Sequence, residues 1–384
     1  MIVGIVGAGT MGAGIAQVCL SAGHDVRLHD ISASAIAGGR ARIEDGLGRL
    51  VARGRLDAQG RDAALARLTP APTLEAAAAG AQVVIEAALE ELEAKRAIFR
   101  ALDRAASADA LLATNTSALS VTAIAEVVRR PGRVLGLHFF NPAAVMTLVE
   151  VVAGERTDPA AVAAGTAFAE ALGRRPVACH DAPGFIVNRV NRPFMQEALR
   201  MLEAGEASIE TIDAAIVAGG FPMGPFALMD LVGVDVDDAV ARALFAAFHA
   251  APRFRPSPVQ ARLVAAGTLG RKTGGGFYRY DTVGRVLGPT EVFAAGGAAL
   301  PADEIRTRIE LAIVNEAYHA AGEGVASPPD IDLAMQLGAA HPLGPFERAR
   351  TLGLRRVVGE LRRLERLQGE RFRVAPALWQ IASV

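Results

Sequence analysis

The apolar run Met1–Val6 ends in Gly7-Ala8-Gly9-Thr10-Met11-Gly12, and a helical pattern opens at Met11. A GxGxxG string alone is a weak signal, but between a strand and a helix it admits few folds. Gly7 allows the tight turn, Gly9 lets a pyrophosphate approach the backbone, and Gly12 permits close helix–strand packing. The helix start, with Thr10 and Met11, then offers free N–H groups and a positive dipole end to phosphates. Asp30 closes the second strand 18 positions after Gly12, where a carboxylate binds ribose hydroxyls and repels a 2′-phosphate. Ile31 supplies no compensating arginine. These residues predict a dinucleotide site that takes NAD rather than NADP.

The first half of the chain alternates short apolar runs with helical spacing. Met1–Val6, Asp25–His29, Gln82–Ile85, Leu111–Thr114, Val134–His138, Leu148–Val152 and Pro176–Cys179 read as strands. Met11–Ser21, Ser32–Arg53, Glu91–Ala105, Val121–Val128 and Pro159–Leu172 read as helices. Continuously apolar strands alternating with helices predict an α/β Rossmann-type, doubly wound domain with a parallel sheet covered on both faces. At Asp181-Ala182-Pro183-Gly184 the character changes, and from Phe185 onward only helical patterns separated by Gly and Pro are expected.

That helical part is doubled. Glu197-Ala198 to Ser208 matches Glu316-Ala317 to Ser327 at an offset of 119, as does Ile212-Asp213 with Ile331-Asp332. Pro222-Met223-Gly224-Pro225-Phe226 matches Pro342-Leu343-Gly344-Pro345-Phe346 at 120. The expected domains are 1–183, NAD-binding, followed by two all-α repeats at 184–286 and 301–384, joined by the Gly/Ala/Pro-rich stretch around Leu287–Pro301.

Composition narrows the partners. Forty basic against 41 acidic residues leave a net charge of −1, which offers no footprint for nucleic acid or an anionic membrane. No apolar run reaches the roughly 18 residues of a membrane span. Cys19 and Cys179 lack CxxC spacing and read as reduced core thiols, and the chain begins directly on a strand, so a cytoplasmic location is expected. Of the 40 basic residues only Lys95 and Lys272 are lysine, which suggests that these two positions need an ammonium. The arginine-rich segment Leu361–Arg373 interleaves Glu365 and Glu370 and reads as a solvated helix face.

No GxSxG elbow, P-loop, HExxH or paired-cysteine metal motif is present. A dinucleotide-dependent alcohol oxidation needs a base for the hydroxyl proton. Of seven histidines, His24 and His29 fall on the adenosine side and His249, His319 and His341 in the helical part; His180 adjoins the linker. His138 ends a strand, where ligands bind in open parallel sheets, and leads into Phe139-Phe140-Asn141-Pro142. Twelve residues on, Glu150 lies in the adjoining apolar strand and needs a partner there. An imidazole held by a carboxylate is a positioned general base; a satisfied core histidine is the alternative reading.

The sequence resembles the L-3-hydroxyacyl-CoA dehydrogenase family over most of its length. The opening Gly4–Gly12, Thr114-Asn115-Thr116-Ser117, Gly136–Pro142, Leu148-Val149-Glu150-Val151, Pro183–Arg189, Pro222–Phe226 and Gly270–Tyr278 look like its signatures, in the family's order. The resemblance implies oxidation of an (S)-3-hydroxyacyl-CoA, short-chain such as 3-hydroxybutanoyl-CoA, to the 3-oxoacyl-CoA with NAD. It makes His138 the base, Glu150 its orienting partner, Ser117 a donor to the C3 oxygen and Asn188 a residue placing the acyl group. It gives Glu90, Lys95, Ser117 and Asn141 to the cofactor, and Arg53, with Arg49 on the same helix, to the nucleotide end of CoA. Gly46 stands where the family resemblance leads one to expect a serine. The doubled helical part resembles the dehydrogenase portion of the multifunctional fatty-acid oxidation enzymes, where a second copy replaces a partner subunit; a monomer or homodimer is expected, with hydratase or thiolase partners open.

Two other readings compete. Dehydrogenases of the 3-hydroxyisobutyrate or 6-phosphogluconate type, acting on a non-CoA hydroxyacid, share the opening glycines but use a lysine in the helical region, and none occurs between Lys95 and Lys272. A non-catalytic NAD- or acyl-CoA-binding protein, like the lens-crystallin relatives, would not need Ser117, His138, Glu150 and Asn188 together.

Overall fold

The computed structural model describes residues 1–293 and 300–382; residues 294–299 of the joining stretch, and the last two positions of the second repeat, lie outside the described residues. The chain forms two compact units, Met1–Phe185 and Ile186–Val384.

The first unit is an eight-stranded sheet flanked by helices. Its strands are β1 (Ile2–Val6), β2 (Asp25–His29), β3 (Leu68–Pro70), β4 (Val83–Glu86), β5 (Leu111–Thr114), β6 (Val134–Phe139), β7 (Leu148–Ala153) and β8 (Arg175–His180). Its helices are α1 (Thr10–Ser21), α2 (Ala33–Ala52), α3 (Ala58–Ala66), α4 (Leu74–Ala78), α5 (Leu92–Ala105), α6 (Val121–Ala125) and α7 (Pro159–Ala171). The spatial order is β3-β2-β1-β4-β5-β6-β7-β8. From β1 the chain runs outward through β2 and β3, then returns to β4 on the other side, so the order reverses between β1 and β4 and opens a crevice at their carboxyl ends. β4, β5 and β6 are buried along their whole length, which explains their unbroken Val/Leu/Ile runs.

The sheet departs from the expected all-parallel arrangement in one place. β7 runs antiparallel to β6, with His138 opposite Glu150 in the ladder, while β7 and β8 are parallel to each other. Only 140–147 separate β6 from β7, too few residues for a crossover helix. The sequence reading also passes over β3, whose three residues are too short to show a period.

The second unit is helical, as its Gly- and Pro-punctuated pattern predicts. The first repeat comprises α8 (Val187–Val190), α9 (Arg192–Glu203), α10 (Ile209–Ala218), α11 (Pro225–Val232), α12 (Val234–Ala247) and α13 (Pro258–Ala265). A hairpin, β9 (Tyr278–Tyr280) with β10 (Val286–Pro289), follows and corrects the expectation of helices alone. The second repeat comprises α14 (Ala302–Gly322), α15 (Pro328–Gly338), α16 (Pro345–Leu352), α17 (Leu354–Gln368) and α18 (Pro376–Ala382).

The repeats share their local devices. Ser208 caps α10 and Ser327 caps α15. Asp213 accepts from the Phe226 and Ala227 N–H groups at the start of α11, and Asp332 does the same for Phe346 and Glu347 at α16. Gly224 and Gly344 are glycine for one reason: a Cβ at either would lie within 2.4 Å of the capping aspartate.

Across the repeats the ion pairs are exchanged. Glu316 of the second repeat holds Arg189 (2.7 Å) and Arg253 (2.8 Å) of the first. Glu197 of the first holds Arg308 (3.2 Å) and Arg371 (3.0 Å) of the second. At the repeat offset Glu197 corresponds to Glu316 and Arg189 to Arg308, so the two helical copies face each other in a pseudo-twofold arrangement.

Candidate active site

The glycine turn has the shape a dinucleotide needs. Gly7 sits at φ 104°, where a side chain would collide with the Ala87 carbonyl at 2.4 Å, and a Cβ on Gly12 would stand 1.8 Å from the Gly7 oxygen. Both glycines are therefore demanded by the protein itself. Gly9 is different, because nothing lies within 4 Å of a Cβ built there and its φ of −68° suits any residue. No contact of the chain itself requires glycine at position 9, and its absence of a side chain leaves the backbone open to an approaching phosphate. Gly9 also begins α1 without a side-chain cap and with no acidic residue in the first turn, which leaves Thr10, Met11 and Gly12 N–H groups for an anion. Asp30 reaches the same turn, its carboxylate accepting from Ala8 N at 2.7 Å, with Ile31 fully exposed beside it.

A second cluster lies at the carboxyl ends of β4 and β5. Glu90 accepts from the Thr116 hydroxyl (2.5 Å) and from the backbone N–H of Ser117 (2.9 Å), and so shapes the turn that presents Ser117. Burial pushes the Glu90 carboxyl up, but the Lys95 charge and the bonds from Thr116 and Ser117 outweigh it and hold the group below the ordinary glutamate range. Lys95 is only 1% exposed and pairs with Glu86 (2.6 Å) and Glu90 (3.2 Å). Its ammonium thus faces carboxylates inside the protein. Lys272 lies on the surface of the second unit, paired with Asp235 at 2.5 Å.

His138 and Glu150 form the third element. The antiparallel ladder sets them side by side, and His138 Nδ1 lies 2.6 Å from Glu150 Oε2, both side chains buried. With a carboxylate as acceptor, Nδ1 carries the hydrogen and donates; Nε2 is then the basic nitrogen. Phe140 (4.5 Å between ring centres) and Phe185 (5.9 Å) wall the imidazole. Phe185 adopts φ 48°, an uncommon conformation for a bulky residue, at the last position of the first unit.

The remaining candidates are placed as follows. Asn141 is exposed in the turn after β6, preceding a cis peptide to Pro142. Asn188 lies on α8 in the second unit. Arg49 pairs with Asp45 one helical turn away, whereas Arg53, the last cap of α2, is exposed with no acidic partner among the described residues. At Gly46 a Cβ would come 2.0 Å from the Gln17 amide oxygen, which explains why serine is absent there. Other histidines have partners of their own: His29 bonds the Ala71 carbonyl, His24 stacks on Phe168, and His341 pairs with Asn191. His180 is exposed at the end of β8. Burial drives the Cys19 thiol up to about 12, so it is inert.

Three residues of the site carry no role in the sequence reading. Glu86 anchors Lys95 and accepts from Thr114 at 2.8 Å, Thr116 donates to Glu90, and Asn115 accepts from Phe139 N (2.9 Å), tying the Ser117 turn to the end of β6. The signal for Glu86 was present: a lone carboxylate closing an apolar strand nine residues before a retained lysine.

Comparison with known proteins decides the family. The family model described as 3-hydroxyacyl-CoA dehydrogenase, NAD binding domain, matches residues 2–182, and that of the C-terminal domain matches 184–280 and again 305–383. The chain belongs to the 3-hydroxyacyl-CoA dehydrogenase family. It is an NAD-dependent oxidoreductase. A relative from Escherichia coli named 3-hydroxyadipyl-CoA dehydrogenase is 38% identical over 99% of this chain and 97% of its own. The 3-hydroxybutyryl-CoA dehydrogenase of Mycobacterium tuberculosis is 44% identical over 72% of this chain and 98% of its own. A crystal structure described as 3-hydroxybutyryl-CoA dehydrogenase from Escherichia coli superposes with a TM-score of 0.90, at 38% identity, covering 100% of this chain and 98% of that one. No helix among the described residues is long and apolar enough to cross a membrane.

Replacing Glu150 by glutamine keeps the shape of the pair and removes the carboxylate charge beside the imidazole. Turnover is expected to fall about 10²-fold or more, with a changed pH–rate profile. A kcat profile identical to that of the parent enzyme excludes Glu150 from the chemistry.

Proposed function

We propose that this dehydrogenase oxidises the C3 hydroxyl of a short-chain (S)-3-hydroxyacyl-CoA to the 3-oxo thioester, with His138 as general base. The observation that carries the reading is the buried His138–Glu150 pair, whose 2.6 Å contact leaves Nε2 as the basic nitrogen at the carboxyl end of β6. The hydroxyl proton passes to Nε2, and Glu150 stabilises the resulting imidazolium. Bound NAD+ would supply the acceptor for the hydride that leaves C3. Ser117 donates to the C3 oxygen, held for that task by Glu90, and Asn188 places the acyl group. Gly7, Gly9, Thr10, Met11, Gly12 and Asp30 hold the dinucleotide; Glu90 and Asn141 face its reactive end, with Lys95 behind Glu90. Of Arg49 and Arg53, the latter, at the C-cap of α2, is the one free to meet a CoA phosphate, since Arg49 is engaged by Asp45.

The names of the relatives support two acyl groups, an unsubstituted butanoyl chain and a dicarboxylic adipyl chain. NADH formation is therefore to be followed with (S)-3-hydroxybutanoyl-CoA, 3-hydroxyadipyl-CoA, a long-chain homologue and the (R) enantiomer. Turnover restricted to (S) substrates, fastest with the four-carbon chain, is the expected result. A preference for the adipyl thioester replaces the chain assignment, and NAD binding without any turnover replaces catalysis by a binding role or a non-CoA hydroxyacid.

The exchanged Arg–Glu pairs support the further reading that the second repeat stands where a partner subunit would. The chain is expected to sediment at the mass of one copy across micromolar concentrations; an obligate dimer overturns this.

A further inference from the structure

Asn188 lies on α8, a helix of one turn. One turn of helix fixes several backbone dihedrals for a single hydrogen bond and does not hold itself in water. In the second repeat the equivalent stretch is part of the continuous α14; in the first, Pro193 follows directly and α8 is separated from α9 at Asn191. Contacts from the second repeat support α8 at two positions that follow Asn188, Arg189 and Asn191.

Arg189, the next residue, is 1% exposed. Its Nε donates to Glu316 at 2.7 Å and its guanidinium pairs with Glu323 at 2.8 Å, both from the second repeat. Asn191, which ends α8, accepts at Oδ1 from His341 Nε2 of the second repeat at 2.9 Å, and its amide donates to Met195 Sδ. His341 is buried and inserted among first-repeat aromatics, with ring centres 5.0 Å from Phe221 and 6.1 Å from Phe194. Burial, with Arg348 nearby, holds the imidazole down at about 3. It is neutral at working pH, with one N–H to give.

The Arg–Glu contact recurs in mirror form on the other side of the pseudo-twofold, as Arg308 with Glu197. The His341–Asn191 bond does not. The residue equivalent to Asn191 is Glu310, that equivalent to His341 is Phe221, and that equivalent to Asn188 is Thr307. A phenyl ring cannot donate to a carboxylate, so the symmetric position lacks this bond. The repeats therefore share a general adhesive, and one extra bond is added only where the helix carries Asn188.

We infer that the second repeat positions Asn188: His341, through Asn191, and Glu316 with Glu323, through Arg189, hold α8 in the geometry the reaction requires. This rests on the proposed role of Asn188. His341 is a positioning residue and touches neither substrate nor cofactor.

The test is a double-mutant cycle. His341→Ala is expected to lower kcat about 10-fold while KM for NAD+ stays within twofold, and His341→Gln, whose amide N–H can replace Nε2, restores most of it. In an Asn188→Ala background, His341→Ala costs little more, because both changes act on one group. Fully additive losses overturn the inference, as does a His341→Ala enzyme that is less stable yet has unchanged kcat. Asn191→Ala, which leaves the second repeat intact, should match His341→Ala and serves where the latter folds poorly. Hydrogen exchange gives an answer independent of turnover: amides of 187–190 exchange at least 10-fold faster in either variant, the rest of the second unit staying as it was. Unchanged exchange in α8 overturns the inference whatever the substrate. No kcat loss in Asn188→Ala itself, with faster α8 exchange in His341→Ala, sinks the assigned role of Asn188 and leaves the support standing.

Discussion

Replacing His138 by alanine is expected to lower kcat by about 10²–10⁴ while the affinity for NAD+ stays within a few-fold of the parent enzyme. The separation follows from the layout of the first unit. The glycine turn and Asp30 lie at the ends of β1 and β2, whereas His138 is the penultimate residue of β6, three strands from β1 in the sheet. Deleting the imidazole removes the proposed proton acceptor and takes from Glu150, a fully buried carboxylate, the side chain opposite it in the ladder. Some loss of stability therefore accompanies the catalytic loss. His138→Gln separates the two effects, because it can keep a donor near Glu150 without a titratable nitrogen; it should fold like the parent and turn over as poorly as the alanine variant. Equilibrium titration with NAD+ and single-turnover rates measure both quantities. Undiminished turnover in either variant would show that another group takes the proton.

Replacing Glu197 by alanine is the change expected to damage stability most, by about 3–5 kcal/mol in urea unfolding of the whole chain. Glu197 is 1% exposed and faces Arg200, Arg308 and Arg371, so its removal leaves three guanidiniums gathered around a vacated carboxylate. Burial alone would push this carboxyl up; the arginines outweigh burial and hold it below the ordinary glutamate range. A group with a depressed folded pKa stabilises above its unfolded value, and that stabilisation is lost as pH falls through the depressed one. The parent protein should therefore lose stability in acid more steeply than the variant does. A loss under about 1 kcal/mol, or identical acid profiles, would show that the network is dispensable.

Much of the site was legible because its chemistry demands particular residues at element ends. Gly7 and Gly12 are forced by backbone contacts that a Cβ would violate, and Gly9 by none of the chain's own atoms. The scarcity of lysine pointed to positions 95 and 272 as needing an ammonium, and Lys95 holds its own between two carboxylates. Its contact with Glu90 was not legible, since Glu90 is distinguished from surface glutamates only by the turn it folds into, whereas Glu86 closes an apolar strand. The hairpin β9–β10 escaped notice because three- and four-residue strands carry no measurable period. The antiparallel β7 escaped because an apolar strand reads alike in either direction.

The sequence by itself determined the dinucleotide turn, the preference for NAD, the doubled helical region and the family, because each is written in short-range spacing or in whole motifs. The tertiary structure decided which groups meet. It turned β7 so that Glu150 stands beside His138, buried Lys95 behind Glu90, matched Arg49 to Asp45, and set His341 against Asn191 from 150 residues away. Strand direction and long-range pairing depend on how whole elements pack, and local residue patterns carry no record of that.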